Sequence, residues 1–487
     1  NGSISEYVDA FYSHPALAGG FVWDWRDQGL EEFDENGNAY WAYGGHFGDV
    51  PNDANFCING LTDPAGTPHP ALIEYAWACR PVTVHLANRR SITIQNRRIF
   101  RDMSDLSCRW ELLKDGEISD SGAMNVNLLP GEEGTYPIPV QLGEHEGEAH
   151  LSFYWSLEKE TPWARSGHLI SWDQVILSES QKAPVKLQYP DKDVKVSDVS
   201  SFAVGEISVD FDAQYHITNI NYGGVPMMTA VPTGCLWRAP TDNDGVKQGW
   251  MAEVSGVRQI WLREGLDNLT ILNKDYKVLV GNDLVLFVLS KEIHGSSGFA
   301  SHDSTYLLNK DGLHITERMN IPEQWSDMPR IGVRFEISSS FEAVRWYGRG
   351  PEESYPDRFQ SQMIGIWESN VSQQYHPYVV PQEHGAHYGT RWFSLTNRDG
   401  LYMQILAPEP FSFSARLHHD EDLTVARTIA ELAGHGTIEV HVDAAHRGLG
   451  TGACGPDTLE KYRIGSGGYT WDWGIRFGNS EKEISHV

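Results

Sequence analysis

The sequence predicts a mainly β protein in three parts. These are the end of a (β/α)8 barrel over residues 1–82, an immunoglobulin-like β-sandwich over 83–187, and a large antiparallel β-sandwich over 192–487. Three observations carry this reading. The N-terminal segment runs helix, strand, long polar loop, the order found where a (β/α) barrel presents its chemistry. From about Val82 the apolar residues alternate with a period of two, as in strands with one buried face. That alternation continues to the C-terminal region without a sustained helical period, which suits one large antiparallel sandwich.

Each part follows from local signals. Ser3 and Glu6 have capping-box spacing, Tyr7, Val8, Phe11 and Tyr12 form an apolar face, and His14-Pro15 stops the helix. Ala16 to Trp25 is a compact apolar run, expected to be a buried parallel strand. The Gly/Asn/Asp-rich stretch from Asn36 to Gly66 reads as a loop. A whole barrel needs about 250 residues, so only its last piece is expected here. In the second part Val82, Val84 and Leu86, then Ile92 and Ile94, then Leu151, Phe153 and Trp155 alternate, and Asp115-Gly116 signals a hairpin turn. Gln181 to Val199, charged and proline-bearing, reads as a linker. Beyond it alternate Ile207, Val209 and Phe211, then Leu284, Leu286 and Val288, then Leu313 and Ile315, and finally Ile438, Val440 and Val442.

Composition narrows the function. A net charge of −28 argues against nucleic acid and against anionic membrane surfaces, both of which demand Lys/Arg stripes. No run of about 18 apolar residues is present, so no transmembrane helix is expected. Five cysteines, odd in number and far apart, form neither a disulfide framework nor a zinc knuckle, and fit reduced cytoplasmic thiols. Seventeen Trp and twenty Tyr suit sugar recognition, since pyranose faces stack on flat rings, although large sandwich cores also consume aromatics.

Trp23 ends the expected barrel strand, where an indole could floor a sugar pocket; a core tryptophan is an equal reading on position alone. Asn52, Phe56 and Asn59 share a polar loop. Asn amides and backbone carbonyls are hard oxygen donors suited to Na⁺, Mg²⁺ or sugar hydroxyls, and an ordinary turn cluster is the competing reading. Asp24 and Asp27 follow the strand, while Glu31, Glu32, Asp34 and Glu35 read as a solvated charge run. A retaining glycosidase needs two carboxyls about 5–5.5 Å apart across the scissile bond, and no such pairing is visible in the sequence. His376, His384 and His387 match no common zinc signature and are expected to be satisfied loop histidines. His418 to Asp422 reads as a surface turn.

The chain resembles the large bacterial β-galactosidases of glycoside hydrolase family 2 along essentially its whole length. The resemblance rests on Gly19 to Trp25, Tyr43-Gly44-Gly45 through Gly60, Thr67 to Leu72, Ser166-Gly167-His168 and Arg238 to Asp244. It continues through Gly350 to Arg358, Pro377-Tyr378-Val379 and Gly389-Thr390-Arg391. It implies a retaining β-galactosidase acting on terminal β-D-galactosides such as lactose, with Mg²⁺ and Na⁺ as cofactors and a homo-oligomeric parent. Both catalytic glutamates are implied to lie upstream of Asn1, so no catalytic residue is expected within the chain, and the chain alone is expected to be inactive. What carries over is binding. Trp23 matches the tryptophan beneath the galactosyl pocket, Asn59 an asparagine that holds galactose and Na⁺, Phe56 a carbonyl ligand of that Na⁺, and Asn52 a ligand of an outlying Mg²⁺. Cys454 stands where the best-studied members place a tryptophan against the aglycone. It is expected either to line that subsite or to be a simple loop cysteine. A non-catalytic carbohydrate-binding or complementing chain of a two-chain glycosidase is the alternative function, and a glucuronidase or mannosidase of the same family a weaker one.

Overall fold

The computed structural model describes residues 1–141, 143, 145–180, 200–212, 216–248, 256–452 and 455–479. The expected linker Gln181 to Val199 and the candidate Cys454 lie outside the described residues.

The barrel end begins with a helix over Ile4–Ser13. The expected capping box is not made. Ser3 takes a left-handed φ of 58° with no side-chain cap, and the Glu6 carboxylate turns instead to Lys461, 2.8 Å away, and to the Tyr462 hydroxyl. An outward partner on the terminal sandwich has outcompeted the local backbone. The expected buried strand Ala16 to Trp25 is also not formed. Phe21 is fully exposed, and Leu17, Trp23 and Trp25 are also exposed. A parallel strand is stabilised by ladders on both edges and by covering helices. Its end meets the segment around Asn59 to Thr62 through a few backbone hydrogen bonds and, just beyond it, a parallel bridge between Arg26 and Thr62, without a regular ladder. The polar stretch that follows is more ordered than a loop. Leu30–Phe33 pairs antiparallel with Ala39–Ala42, and Ala54–Cys57 makes a 3₁₀ turn. A helix over Pro70–Ala78, opened by its proline, then leads into the second part.

That part is a sandwich of a three-stranded and a four-stranded sheet, spanning Val82–Asn88 to Leu169–Ser178. Val82, Val84, Ile92, Ile94, Leu151, Phe153 and Trp155 all lie in its core. Asp115 and Gly116 take φ of 47° and 86°, the two positive values that a type I′ hairpin requires. The Gly116 turn abuts the terminal sandwich so closely that a Cβ would fall 2.6 Å from the Tyr347 ring.

The terminal part packs a four-stranded sheet (Ser201–Val204 to Val225–Pro226) on a twelve-stranded antiparallel sheet. Ile207, Val209 and Phe211 meet Phe287, Ile315, Val440 and Val442 in one core. Two short helices, Arg258–Glu264 and Asp420–Val425, interrupt the strands. The second corrects the expected surface turn at His418 to Asp422, since Asp420 is fully buried. Its carboxylate sits 3.2 Å from Arg330 and 2.7 Å from Arg416, both at zero exposure, so a hidden demand for negative charge draws it inward.

The two sandwiches are joined by Glu148, which accepts from Arg391 Nε at 2.9 Å and from the Tyr347 hydroxyl at 2.8 Å. Burial works to raise the Glu148 carboxyl; Arg391 and Tyr347 outweigh it and hold it below the ordinary glutamate value. Stability from a depressed carboxyl is present above its unfolded-state value and is lost as pH falls through the folded one. Glu148→Gln is therefore expected to destabilise the chain by ~1–3 kcal/mol at neutral pH. In urea titrations at stepped pH, the gap to the parent chain should close below the glutamate range, and a pH-independent gap would refute this account.

Candidate functional site

The floor of the site is made by backbone. Asp24 N–H donates to the Asn59 carbonyl at 2.9 Å, Thr62 N–H to Trp25 at 3.0 Å, Asp27 N–H to Thr62 at 2.9 Å and Gln28 N–H to Cys57 at 3.1 Å. The Trp23–Asp24 peptide within this run is cis. Gly60 permits the approach: a Cβ there would lie 2.2 Å from Asp27 N and 2.6 Å from the Thr62 carbonyl oxygen. Any side chain at 60 would force the two segments apart.

A cleft of about 540 Å³ opens over this pairing, within the usual size range of small-molecule sites. The barrel end contributes Trp23, Phe56 and Asn59, and the terminal sandwich contributes Asp242, Tyr378 and Gln382. Trp23 is 79% exposed, so its indole face is open to a ligand. Asn59 donates through Nδ2 to the Phe56 carbonyl at 3.1 Å, while its Oδ1 is buried without a partner. The Oδ1 of Asn55, also in the lining, is likewise buried and unpaired. An unpaired buried acceptor invites a hydroxyl or a hard cation. The Asn59 amide and the Phe56 carbonyl fit Na⁺ once that amide is turned over, a change of no steric consequence because amide O and N have the same shape.

Asn52 is placed differently. Its Oδ1 accepts from Ala54 N–H at 3.0 Å and its Nδ2 donates to the Asp49 carbonyl at 2.8 Å, the bonding of a turn residue. Thr451 and Gly452, just before the undescribed Cys454, line the cleft.

Within the lining, two carboxylates hold the loop. Asp27 accepts from Gly60 N–H at 2.6 Å with one oxygen and from His69 Nε2 at 2.8 Å with the other. Asp242 accepts from Asn55 Nδ2 at 2.7 Å and from Gln382 Nε2 at 3.3 Å. Burial pushes the Asp242 carboxyl upward and the nearby Lys247 ammonium opposes it; that ammonium donates to the Pro381 and Leu423 carbonyls. Each oxygen of these two carboxylates is thus already committed to positioning.

The three histidines scatter. His376 Nε2 lies 2.7 Å from His69 Nδ1, and His387 Nε2 bonds the Gln374 side chain. His384 corrects the expectation of satisfied histidines, because both its ring nitrogens are buried without partners. Burial takes its pKa down to about 3, and a neutral ring is less costly to bury than a charged one. Two groupings with metal-ligand proximity, Cys235/Asp420/His441 and His419/Glu421/Glu439, lie in the terminal sandwich. Arg330 and Arg416 already sit on the carboxylate of the first, and Arg334 on those of the second. Sequence reasoning brought Trp23, Phe56 and Asn59 together but missed Asp242, Gln382 and the joining of His69 to His376. The signal was present in the Arg238 to Asp244 and Pro377 to Val379 motifs, which carry the resemblance without showing where they fold.

Three family models match successive parts of the chain. They are a glycosyl hydrolases family 2 TIM barrel domain over residues 1–84, a β-galactosidase domain 4 over 92–178, and a β-galactosidase small chain over 204–475. A β-galactosidase of an Arthrobacter species is 32% identical over 95% of the chain and 47% of its own length. One from Photobacterium profundum is 29% identical over 95% of the chain and 46% of its own. The chain thus spans about half the length of the curated relatives it matches. With the small-chain match alone covering more than half of it, the chain belongs to the β-galactosidases of glycoside hydrolase family 2.

Proposed function

We propose that this chain supplies the sugar- and cation-holding wall of a retaining β-galactosidase, and that the nucleophile and the acid/base come from another part of the enzyme. The carrying observation is the division of labour in the cleft. Trp23 and the unpaired Asn59 Oδ1 are free to meet a galactoside, whereas each oxygen of Asp27 and Asp242 already accepts a protein N–H that positions the loop. A retaining mechanism needs one carboxylate free to attack the anomeric carbon and a second carboxyl to protonate the leaving oxygen. Neither Asp27 nor Asp242 is placed for either role. Trp23 would stack on the sugar face while Asn59 accepts from a hydroxyl, fixing the ring for attack from the other wall. Bound Na⁺ would fix a hydroxyl by direct coordination, held by Asn59 and the Phe56 carbonyl. Mg²⁺ at Asn52 would use the remaining lone pair of its Oδ1.

The purified chain is accordingly expected to leave nitrophenyl β-D-galactoside and lactose uncleaved. Adding a polypeptide that carries the rest of the barrel should restore turnover, and measurable turnover by the chain alone would end this reading. The exposed Phe21, Trp25, Leu17 and Tyr12 favour such a complementing arrangement, since monomers rarely leave so many large apolar groups uncovered on one segment. In the restored enzyme, Asn59→Ala should raise the KM for galactosides about tenfold or more, the size of one buried hydrogen bond. An unchanged KM would remove Asn59 from the binding set.

A further inference from the structure

We propose that His376, His69 and Asp27 form a positioning chain through which the terminal sandwich sets the Asn59–Gly60 turn of the cleft. The observation is a run of three short polar contacts across three separate segments: His376 Nε2 to His69 Nδ1 at 2.7 Å, His69 Nε2 to Asp27 Oδ2 at 2.8 Å, and Gly60 N–H to Asp27 Oδ1 at 2.6 Å. Chemistry orders the protons. The Asp27 carboxylate can only accept, so His69 Nε2 carries the hydrogen it receives. With both rings neutral, His69 Nδ1 is then an acceptor and His376 Nε2 its donor. Burial, which lowers the His376 pKa to about 4, keeps that ring neutral.

Each member is braced. His69 packs beneath Tyr378, with ring centroids 5.4 Å apart and planes 26° from parallel, and Tyr378 donates to Glu353 at 2.6 Å. His69 N–H donates to the Leu61 carbonyl at 2.9 Å, so backbone and side chain both fasten it beside Gly60. Asp27 and His69 are both buried, at 4% and 5% exposure, which keeps water from replacing these contacts. Gly60 has no room for a Cβ and therefore no side-chain brace of its own, so its place depends on the Asp27 contact and the backbone pairing. Asn59, next in the chain, carries an unpaired oxygen in the cleft lining. His376, His69 and Asp27 act through others and are positioning residues. Together they resemble an outer shell that orients a ligand-binding group, where a lost partner typically weakens binding about 10–100-fold.

The role toward a galactoside rests on the function proposed above; the geometry does not. The test compares the parent chain with His376→Ala and His376→Gln, whose amide can again donate to His69 Nδ1. In His376→Ala, hydrogen exchange across residues 57–62 should quicken about tenfold at Gly60, the scale of one lost buried hydrogen bond. Long-range ¹H–¹⁵N spectra should show the His69 Nδ1 resonance moving as it loses its donor, while Nε2 keeps its proton toward Asp27. Affinity for methyl β-D-galactoside should fall about tenfold. His376→Gln should restore all three. Unchanged exchange and an unchanged His69 Nδ1 resonance in His376→Ala would overturn the proposal, as would equal losses in both variants, which a merely space-filling ring would produce. If no version binds the galactoside, the functional reading falls, while exchange and the His69 Nδ1 resonance still decide the positioning chain.

Discussion

Two arginines at zero exposure, Arg330 and Arg416, set the constraint that the rest of the terminal sandwich obeys. A guanidinium in a low-dielectric interior is tolerable only when paired with opposite charge, and stripping away one partner costs about 3–5 kcal/mol. Here the partners come from separate stretches of chain. Glu383 lies in the loop after Pro377, Asp420 opens a helix, and Glu439 and Asp443 sit on one strand. Satisfying two cations therefore fixes how these elements meet. Glu383 bonds both arginines, and its neighbour Gln382 is thereby presented to Asp242 and the cleft. The electrostatic core of the sandwich and the outer wall of the site are the same loop.

The inner wall is built by a different rule. Trp23 to Gln28 and Cys57 to Thr62 are held by backbone pairing without a regular ladder, and the pairing demands a glycine at 60. Such a wall has little packing of its own, as the exposed indoles of Trp23 and Trp25 attest. Its rigidity comes from contacts made across the cleft: Asn55 to Asp242, and Asp27 through His69 to His376. A soft segment carrying the ligand-facing groups thus leans on a sandwich stiffened by buried charge. The sandwich acts as a scaffold for a site whose contacting residues lie mostly elsewhere.

This division explains what the sequence could show. Strands were legible because alternation such as Ile438, Val440 and Val442 is a local consequence of one buried face. The Asp115-Gly116 turn was legible because positive φ at two successive positions restricts residue choice locally. Trp23, Phe56 and Asn59 were legible as a cluster because a motif resemblance carried them. The contacts that were missed join residues far apart in the chain: His69 and His376 by 307 positions, Asn55 and Asp242 by 187. No periodicity encodes such a pairing. Asp420 misled for the same reason, since an acidic cluster looks solvated until the arginines it must neutralise are placed. Ala16 to Trp25 misled in the opposite sense. Its apolar run has the composition of a barrel strand, but a strand is defined by its neighbours, and here a few backbone hydrogen bonds and one bridge at the adjoining Arg26 stand in for a ladder.

The acids of the cleft show how position decides role. A carboxylate that attacks carbon must keep a lone pair unoccupied and directed at the substrate. In Asp27 and Asp242 each oxygen instead accepts from an N–H donor of the protein itself. Fixed in this way they trade reactivity for geometry: they hold Gly60 and Asn55, the residues that flank Phe56 and Asn59 in the chain. Asn55 and Asn59 then bring unpaired amide oxygens to the cleft lining. Asn59 also donates through Nδ2 to the Phe56 carbonyl, which fixes that carbonyl oxygen beside its amide. Preorganisation of that pair lowers the ordering cost of binding. On the proposed function, the bond-breaking chemistry falls to groups elsewhere in the enzyme.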